Sequence, residues 1–526
     1  MPAWTNTILV SACFALAASG ALAASAGSCE GLAALAPPDT AITTAETIPA
    51  GAFTPPGGRP VDNPRPFCRV AGVIRPSGDS NIQFEVWMPA SEWNGRLLGI
   101  GNGGFAGSID FGALAAAVRN GYAAAATDTG HKGTAVDAAW ALGHPEKIVD
   151  FGYRAIHETA DKAKAIIAAF YGGRPRHSYF SSCSNGGRQG LMEAQRYPED
   201  YDGIVAGAPA NFWTHLVTSG VWDALALDGN AFIPAAKAPA IEAAALAACD
   251  AADGLKDGLI SDPPRCRFDP ATLLCKGGET DACLTEPQVA ALKKLYAGPR
   301  NARGVSTFPG HMPGGESGSG GWPTWVNGPA PQRSLGYAFG SQFFANMVYV
   351  NPAWDFRTFQ VERDTKAADD RMARILNATD PDLSRFRQRG GKLILYHGWS
   401  DAAISPVNSA GYYDSVEKKM GAKATGEFVR LFMAPGLQHC TDGPGPNSFG
   451  QASAPQGDPL HNINMAVVRW VEEGVAPSQI VATKYRTGSN PASGVARTRP
   501  LCPYPQAARY KGSGSIDDAA SFTCAK

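Results

Sequence analysis

A chain of 526 residues is too long for one ordinary core, which predicts one large domain with a substantial insertion, or two domains. Hydrophobic residues make up 44% and charged residues 18%, which excludes a disordered chain. A formal net charge of -1 removes any long-range attraction to nucleic acid or an anionic membrane, so neither is an expected partner.

The chain opens on an apolar, Ala-rich run from Ile8 to Ala24, too short for a comfortable bilayer span. Small residues at 21–23 and 24–26 offer cleavage sites. Residues 1–24 therefore read as an export signal, although no Lys or Arg precedes the run. The expected destination is secreted or periplasmic. Val10-Ser-Ala-Cys13 also resembles a lipoprotein box that would anchor Cys13, but the apolar run before it is very short. No later segment reads as a membrane span.

The chain holds 11 cysteines, and without Cys13 the number is even, as disulfide pairing in an oxidising compartment allows. Cys249 with Cys266, Cys275 with Cys283 and Cys502 with Cys524 are candidate local loops. Zinc competes for these thiols, but no CxxC pair is present.

Strand and helix signals alternate from about residue 82 to about 210. Ile82–Met88 alternates as a strand does. Leu97–Ile100 is a short apolar run that ends in Gly101-Asn-Gly-Gly104. Tyr122–Thr127 follows as a buried strand. Tyr153–Tyr171 has helical periodicity, with Ala155, Ile156, Ala163, Ile166, Ile167 and Phe170 on one face. Ser178–Ser182 is a strand, 186–196 a helix and Ile204–Ala206 another strand. From about Phe212 to Gln388 the strand pattern fades into an Ala-rich helix near 235–248, an Asp-Gly stretch and Gly/Pro-rich sequence at 313–331. Strands return at Lys392–His397 and Glu427–Met433, with a helix at Asn464–Glu473. This order predicts an α/β fold, an α/β-hydrolase core at 25–211 and 389–526 interrupted by a cap at 212–388.

Ser178-Tyr-Phe-Ser-Ser-Cys-Ser-Asn-Gly-Gly-Arg-Gln-Gly190 carries the chemistry. A strand meets a sharp turn at Ser184 and then a helix. Such an elbow needs small neighbours, lifts the hydroxyl clear of the sheet and aims backbone N–H groups at a developing oxyanion. Ser182 stands where G-x-S-x-G has its first glycine. A helix N-cap serine in a glycine turn competes with this assignment.

The partners decide between them. Asp401 lies just past the strand Lys392–His397, and His439 just past the strand Glu427–Met433. That is the chain order Ser, acid, His expected of this fold. Ser184 is then the nucleophile, His439 the base and Asp401 its orienting acid. Asn185 N–H and Gly104 N–H are the expected oxyanion donors. The Gly101-Asn-Gly-Gly-Phe-Ala-Gly-Ser108 run lacks the Lys-Ser/Thr of a phosphate loop. His397 shares a strand end with Asp401 and is expected to line the substrate pocket. Cys183 precedes Ser184 and Cys440 follows His439, so a working triad brings these two thiols within bridging distance.

Cys-Ser-Asn-Gly-Gly-Arg188, Tyr201-Asp-Gly-Ile-Val-Ala-Gly-Ala-Pro209, Leu395-Tyr-His-Gly-Trp-Ser-Asp401 and Ala434-Pro-Gly-Leu-Gln-His-Cys440 together resemble the tannase and feruloyl esterase family. Leu501-Cys-Pro-Tyr-Pro-Gln506 and Ala508-Arg-Tyr-Lys-Gly-Ser513 resemble its mono(2-hydroxyethyl) terephthalate hydrolase relatives. The resemblance implies the Ser184, Asp401, His439 triad and a Cys183–Cys440 bridge. It further implies Cys29–Cys68, Cys249–Cys266, Cys275–Cys283 and Cys502–Cys524. The terephthalate half-ester enzymes use a cap arginine to hold the substrate carboxylate. The matching stretch here, Phe339-Gly-Ser-Gln-Phe-Phe-Ala-Asn346, has none, which favours a ferulate, coumarate or gallate acyl group. The expected partner is a small aromatic ester, attached in nature to plant polysaccharide or tannin. A dicarboxylate half-ester is the alternative substrate. A non-catalytic polyphenol-binding protein, in which Trp322 and Trp325 would matter, is a third possibility that an intact triad argues against.

Cys249-Asp-Ala-Ala-Asp-Gly-Leu-Lys-Asp-Gly-Leu-Ile260 places Asp250, Asp253 and Asp257 in one loop. Clustered hard oxygen ligands suit Ca²⁺, although Ser261 stands where an EF-hand needs Glu, and a solvated Asp-Gly turn fits the spacing equally. The resemblance implies a structural calcium completed by the backbone carbonyls of Leu255 and Leu259. No organic cofactor is expected.

Overall fold

Nine of the apolar stretches become strands of a single sheet in the computed structural model, which describes residues 1–2 and 27–526. The strands are β1 (Thr40–Ile48), β2 (Phe67–Ile74), β3 (Ile82–Pro89), β4 (Arg96–Ile100), β5 (Ala123–Thr127), β6 (His177–Cys183), β7 (Gly203–Gly207), β8 (Lys392–Gly398) and β9 (Val429–Ala434). Their spatial order is β1-β2-β3-β5-β4-β6-β7-β8-β9. The pairs β1/β2, β2/β3 and β3/β5 are antiparallel, and every later pair is parallel. The helices that position the site are α1 (Phe111–Arg119), α2 (Ala155–Tyr171), α3 (Asn185–Arg196), α4 (Trp213–Ala226), α5 (Ala238–Cys249), α6 (Glu286–Ala297), α7 (Leu335–Phe343), α8 (Pro406–Met420) and α9 (Ile463–Glu473).

The two-residue period of the strands sorts the core into two layers. Tyr179, Val205, Ile394 and Phe432 face α1 and α9, where Val118, Val467 and Trp470 pack. Phe180, Ile204, Leu395 and Leu431 face the other side, against Ile156, Leu191 and Val416 of α2, α3 and α8. Continuous apolar runs in the parallel strands follow from burial on both faces. This is an α/β-hydrolase fold with a large inserted cap, as expected.

The sheet starts earlier than the alternation from Ile82 predicts. β1 is a half-exposed edge strand with weak patterning. β2 is buried throughout, but Arg69 interrupts its apolar run. That guanidinium is neutralised inside the sheet, 2.6 Å from Glu85 and 2.8 Å from Glu46. A charge whose partner sits on a neighbouring strand hides a strand from sequence patterning.

The segment between β7 and β8 adds no strand to this sheet and carries α4 to α7. The run Gly229–Asp253 is apolar enough by composition to cross a membrane. Its one α-helix, α5, has 12 residues, well short of the roughly 20 a bilayer needs, and it ends on the bridged Cys249. Among the described residues five disulfides close the chain: Cys29–Cys68, Cys183–Cys440, Cys249–Cys266, Cys275–Cys283 and Cys502–Cys524. The export signal and Cys13 lie outside the described residues.

Candidate active site

The turn from β6 into α3 holds Ser184 at φ 65° and ψ -126°, a conformation that L-residues avoid. Its N–H donates to Gly207 O at 2.9 Å, and its carbonyl accepts from Arg188 N and Ala210 N, both at 3.1 Å. Glycines make the turn possible. A Cβ on Gly187 would come within 2.3 Å of Gly207 O. A Cβ on Gly186 would strike Ser182 Oγ at 1.9 Å, and one on Gly101 would meet the same atom at 2.8 Å. Ser182 therefore replaces the usual glycine because Gly101 and Gly186 leave room for its hydroxyl.

The tertiary fold brings Ser184, His439 and Asp401 together. Ser184 Oγ lies 2.9 Å from His439 Nε2, and His439 Nδ1 lies 2.8 Å from Asp401 Oδ2. Asp401 Oδ1 accepts from Ala403 N at 2.8 Å and Ile404 N at 2.9 Å. Burial by itself would raise the Asp401 carboxyl. His439 beside it, with hydrogen bonds from His397 and His439, holds it well below the usual carboxylate range instead. Asp401 thus stays ionised at any pH where an esterase works.

His397 corrects an expectation. It is fully buried and does not line the cavity. Its Nε2 lies 3.1 Å from both Asp401 Oδ2 and Ile404 O, and its Nδ1 2.7 Å from Ser409 Oγ. The β8 side-chain period turns it into the sheet layer, where it supports the acid rather than the substrate.

The Cys183–Cys440 bond joins the residue before Ser184 to the residue after His439 across 257 positions of sequence. Among the described residues, neither Gly104 N–H nor Asn185 N–H meets a backbone acceptor. Gly104 borders the same cavity as Ser184. Its φ of 54°, and the 2.2 Å that would separate a Cβ from Ala135 O, leave glycine as the residue that fits.

Arg188 fastens the elbow from behind. Its guanidinium is fully buried and donates to Gly152 O at 2.7 Å, Phe151 O at 3.1 Å and Asn185 Oδ1 at 2.7 Å. Burial pushes it down to about 9. Arg188→Met should lower unfolding free energy by about 3–5 kcal/mol, because those acceptors lose their partner inside the core. Urea unfolding checks this, and an unchanged midpoint would refute it.

A cavity of about 80 Å³ opens beside Ser184 and His439. Trp213, Leu216, Val217, Trp325, Phe339 and Ile404 supply its apolar walls. Trp325 meets the His439 ring edge-on at 5.0 Å. Among the described residues, no Lys or Arg lines it. Sequence reading missed the α4 wall, although Trp213, Leu216, Val217 and Gly220 follow helical spacing and were a legible stripe. Asp223 and His311 also border the cavity and were missed.

In the Asp-Gly loop, Asp250 accepts Asp257 N at 3.1 Å and Gly258 N at 2.9 Å, while Arg499 Nη2 lies 2.6 Å from Asp257 Oδ2. Asp253 accepts Leu255 N at 3.0 Å, and Asp257 accepts Leu259 N at 3.2 Å. The donor set is all oxygen, and each carboxylate oxygen keeps a lone pair beyond these bonds, which fits Ca²⁺. A second cluster, His157, Glu193 and Asp200, has ligand atoms within 4.8 Å of one another. There His157 Nδ1 sits 2.6 Å and Lys164 Nζ 3.5 Å from Asp200, while burial raises the Glu193 carboxyl well above its ordinary value. That cluster ties α2 to the end of α3.

The family model for tannase and feruloyl esterase matches residues 68–525. An uncharacterised esterase of Xanthomonas campestris pv. campestris is 45% identical, over 97% of this chain and 93% of its own length. The mono(2-hydroxyethyl) terephthalate hydrolase of Piscinibacter sakaiensis is 37% identical, over 87% of this chain and 84% of its own. The crystal structure of feruloyl esterase B from Aspergillus oryzae superposes with a TM-score of 0.87 at 30% identity, covering 95% of this chain and 100% of that one.

Proposed function

The chain belongs to the tannase and feruloyl esterase family, and from that premise we propose that it is a secreted serine carboxylic-ester hydrolase that cleaves phenolic acid esters through an acyl-enzyme on Ser184. The observation that carries this reading is the hydrogen-bonded run Ser184–His439–Asp401 at the mouth of an apolar cavity. His439 takes the Ser184 proton as Oγ attacks the ester carbonyl, and returns it to the leaving alcohol. Gly104 N–H and Asn185 N–H face the oxyanion. His439 then activates water, which releases the acid and frees Ser184. Asp401 keeps the imidazole in its Nδ1–H tautomer and balances its charge.

Aromatic walls without Lys or Arg, whose His311 is already paired with Asp223, favour an uncharged phenolic acyl group over a terephthalate half-ester, whose carboxylate would enter unpaired. Five disulfides suit an oxidising, extracytoplasmic compartment. The same reading assigns 1–24 to an export signal, 25–211 and 389–526 to the core and 212–388 to the cap. Initial rates on methyl ferulate, methyl gallate and the terephthalate half-ester test it, together with fluorophosphonate labelling of Ser184. Turnover of the half-ester alone, or no labelling, would overturn it.

Asp250, Asp253 and Asp257, with the Leu255 and Leu259 carbonyls, would hold the calcium that the family implies. Its chemistry there is charge neutralisation within the cap. Chelation is expected to lower the melting temperature measurably while leaving the rate constant of the surviving enzyme unchanged. An unaltered melting temperature, with no calcium by elemental analysis, would rule the site out.

A further inference from the structure

The pocket-facing stripe of α4 runs Trp213, Leu216, Val217, Gly220 and then, at the next helical step, Asp223. A carboxylate is out of place on an apolar wall. It is 6% exposed, and its Oδ2 lies 2.8 Å from Nε2 of His311, which is 7% exposed and comes from a loop of the cap segment. Each member of the pair keeps one polar atom unpartnered, Asp223 Oδ1 and His311 Nδ1. Both residues border the cavity that holds Ser184 and His439. A buried polar atom left unpaired carries a penalty of about 1–3 kcal/mol, so an open carboxylate oxygen on a residue that borders the cavity suits a ligand group that donates to it.

We propose that Asp223 and His311 form the subsite that recognises a ring hydroxyl on the acyl group, at the end of the ring remote from the ester. This rests on the phenolic-ester reading above and names the feature of the substrate that the enzyme selects. A phenol has one O–H to donate and lone pairs to accept with. Its O–H donates to Asp223 Oδ1, the carboxylate oxygen left open, while His311 Nε2 holds the other oxygen in place. Burial would lower the His311 imidazole, but the Asp223 carboxylate beside it, together with the charges of Asp401 and Glu316, raises it instead. Trp322, 5.5 Å from the His311 ring, holds that ring in place. The pair is neutral as a unit. A substrate carboxylate offers acceptors only, and would meet the Asp223 carboxylate, to which His311 is already committed. An unsubstituted ring would leave Asp223 Oδ1 unpaired. Such a site discriminates strongly against analogues that lack the hydroxyl.

The test is a matched pair of substrates, methyl 4-hydroxycinnamate and methyl cinnamate, run beside methyl 4-hydroxybenzoate and methyl benzoate. The wild-type protein is expected to favour the hydroxylated member of at least one pair by about tenfold or more in kcat/KM. In Asp223→Asn and His311→Gln, kcat/KM for that hydroxylated ester should fall toward the value of its unhydroxylated partner, which collapses the ratio. A merely structural role would lower both members together and leave the ratio intact, and that result overturns the proposal. Equal wild-type turnover of both members overturns it without any variant, so a variant that fails to fold does not protect it. No wild-type turnover of any of the four esters overturns the phenolic-ester reading and the subsite with it. Turnover without discrimination removes the subsite alone.

Discussion

Ser184→Ala is expected to reduce kcat on any ester substrate by about 10⁴- to 10⁶-fold, as loss of the nucleophile does in serine hydrolases. The fold should survive. The Ser184 hydroxyl contacts His439, whereas the turn is held by backbone bonds to Gly207, Arg188 and Ala210 that alanine keeps. Alanine also tolerates the 65° φ no worse than serine. The expected pattern is lost acyl transfer and lost fluorophosphonate labelling, with a melting temperature within a degree or two of the parent. A variant that retains a tenth of the parent rate would place the nucleophile elsewhere.

The double substitution Cys183→Ser with Cys440→Ser is expected to lower kcat by about 10²-fold or more, because small displacements of reacting groups act at that scale. The bond ties the elbow to the His439 loop across 257 residues, and it flanks the 2.9 Å contact between Ser184 and His439. Asp401 anchors the imidazole from the other side, so the loss is of alignment rather than of chemistry. The four remaining bridges should limit the fall in stability to a few kcal/mol. Single-turnover rates with the variant read alignment directly, and an unchanged rate would make the bridge purely structural. The variant is a cleaner test than a reductant, which attacks all five bonds.

Much of the parallel sheet was legible because strands buried on both faces are plain apolar runs. Gly203–Gly207 and Lys392–Gly398 differ from their sequence boundaries by a residue or so. The N-terminal strands were not legible, since β1 is an edge and Arg69 finds its counter-ions only across the sheet. His397 shows the limit of reasoning from strand ends. Position predicted a pocket residue, and the two-residue period of β8 turned the ring into the core instead.

Ser184 was marked by its own neighbours, Cys183 and the glycines after it, because a sharp turn restricts local residue type. Asp401 and His439 were marked by chain order and by the strands they follow. Those are local requirements, and sequence carries them. The walls of the cavity are different in kind. Trp213, Trp325, Phe339, Asp223 and His311 come from segments separated by up to 126 positions, and nothing local obliges any of them to face Ser184. Only the packing of α4, α7 and the cap loops over the sheet set them around one space. The catalytic chemistry is therefore written along the chain, while the choice of acyl group was decided where distant segments meet.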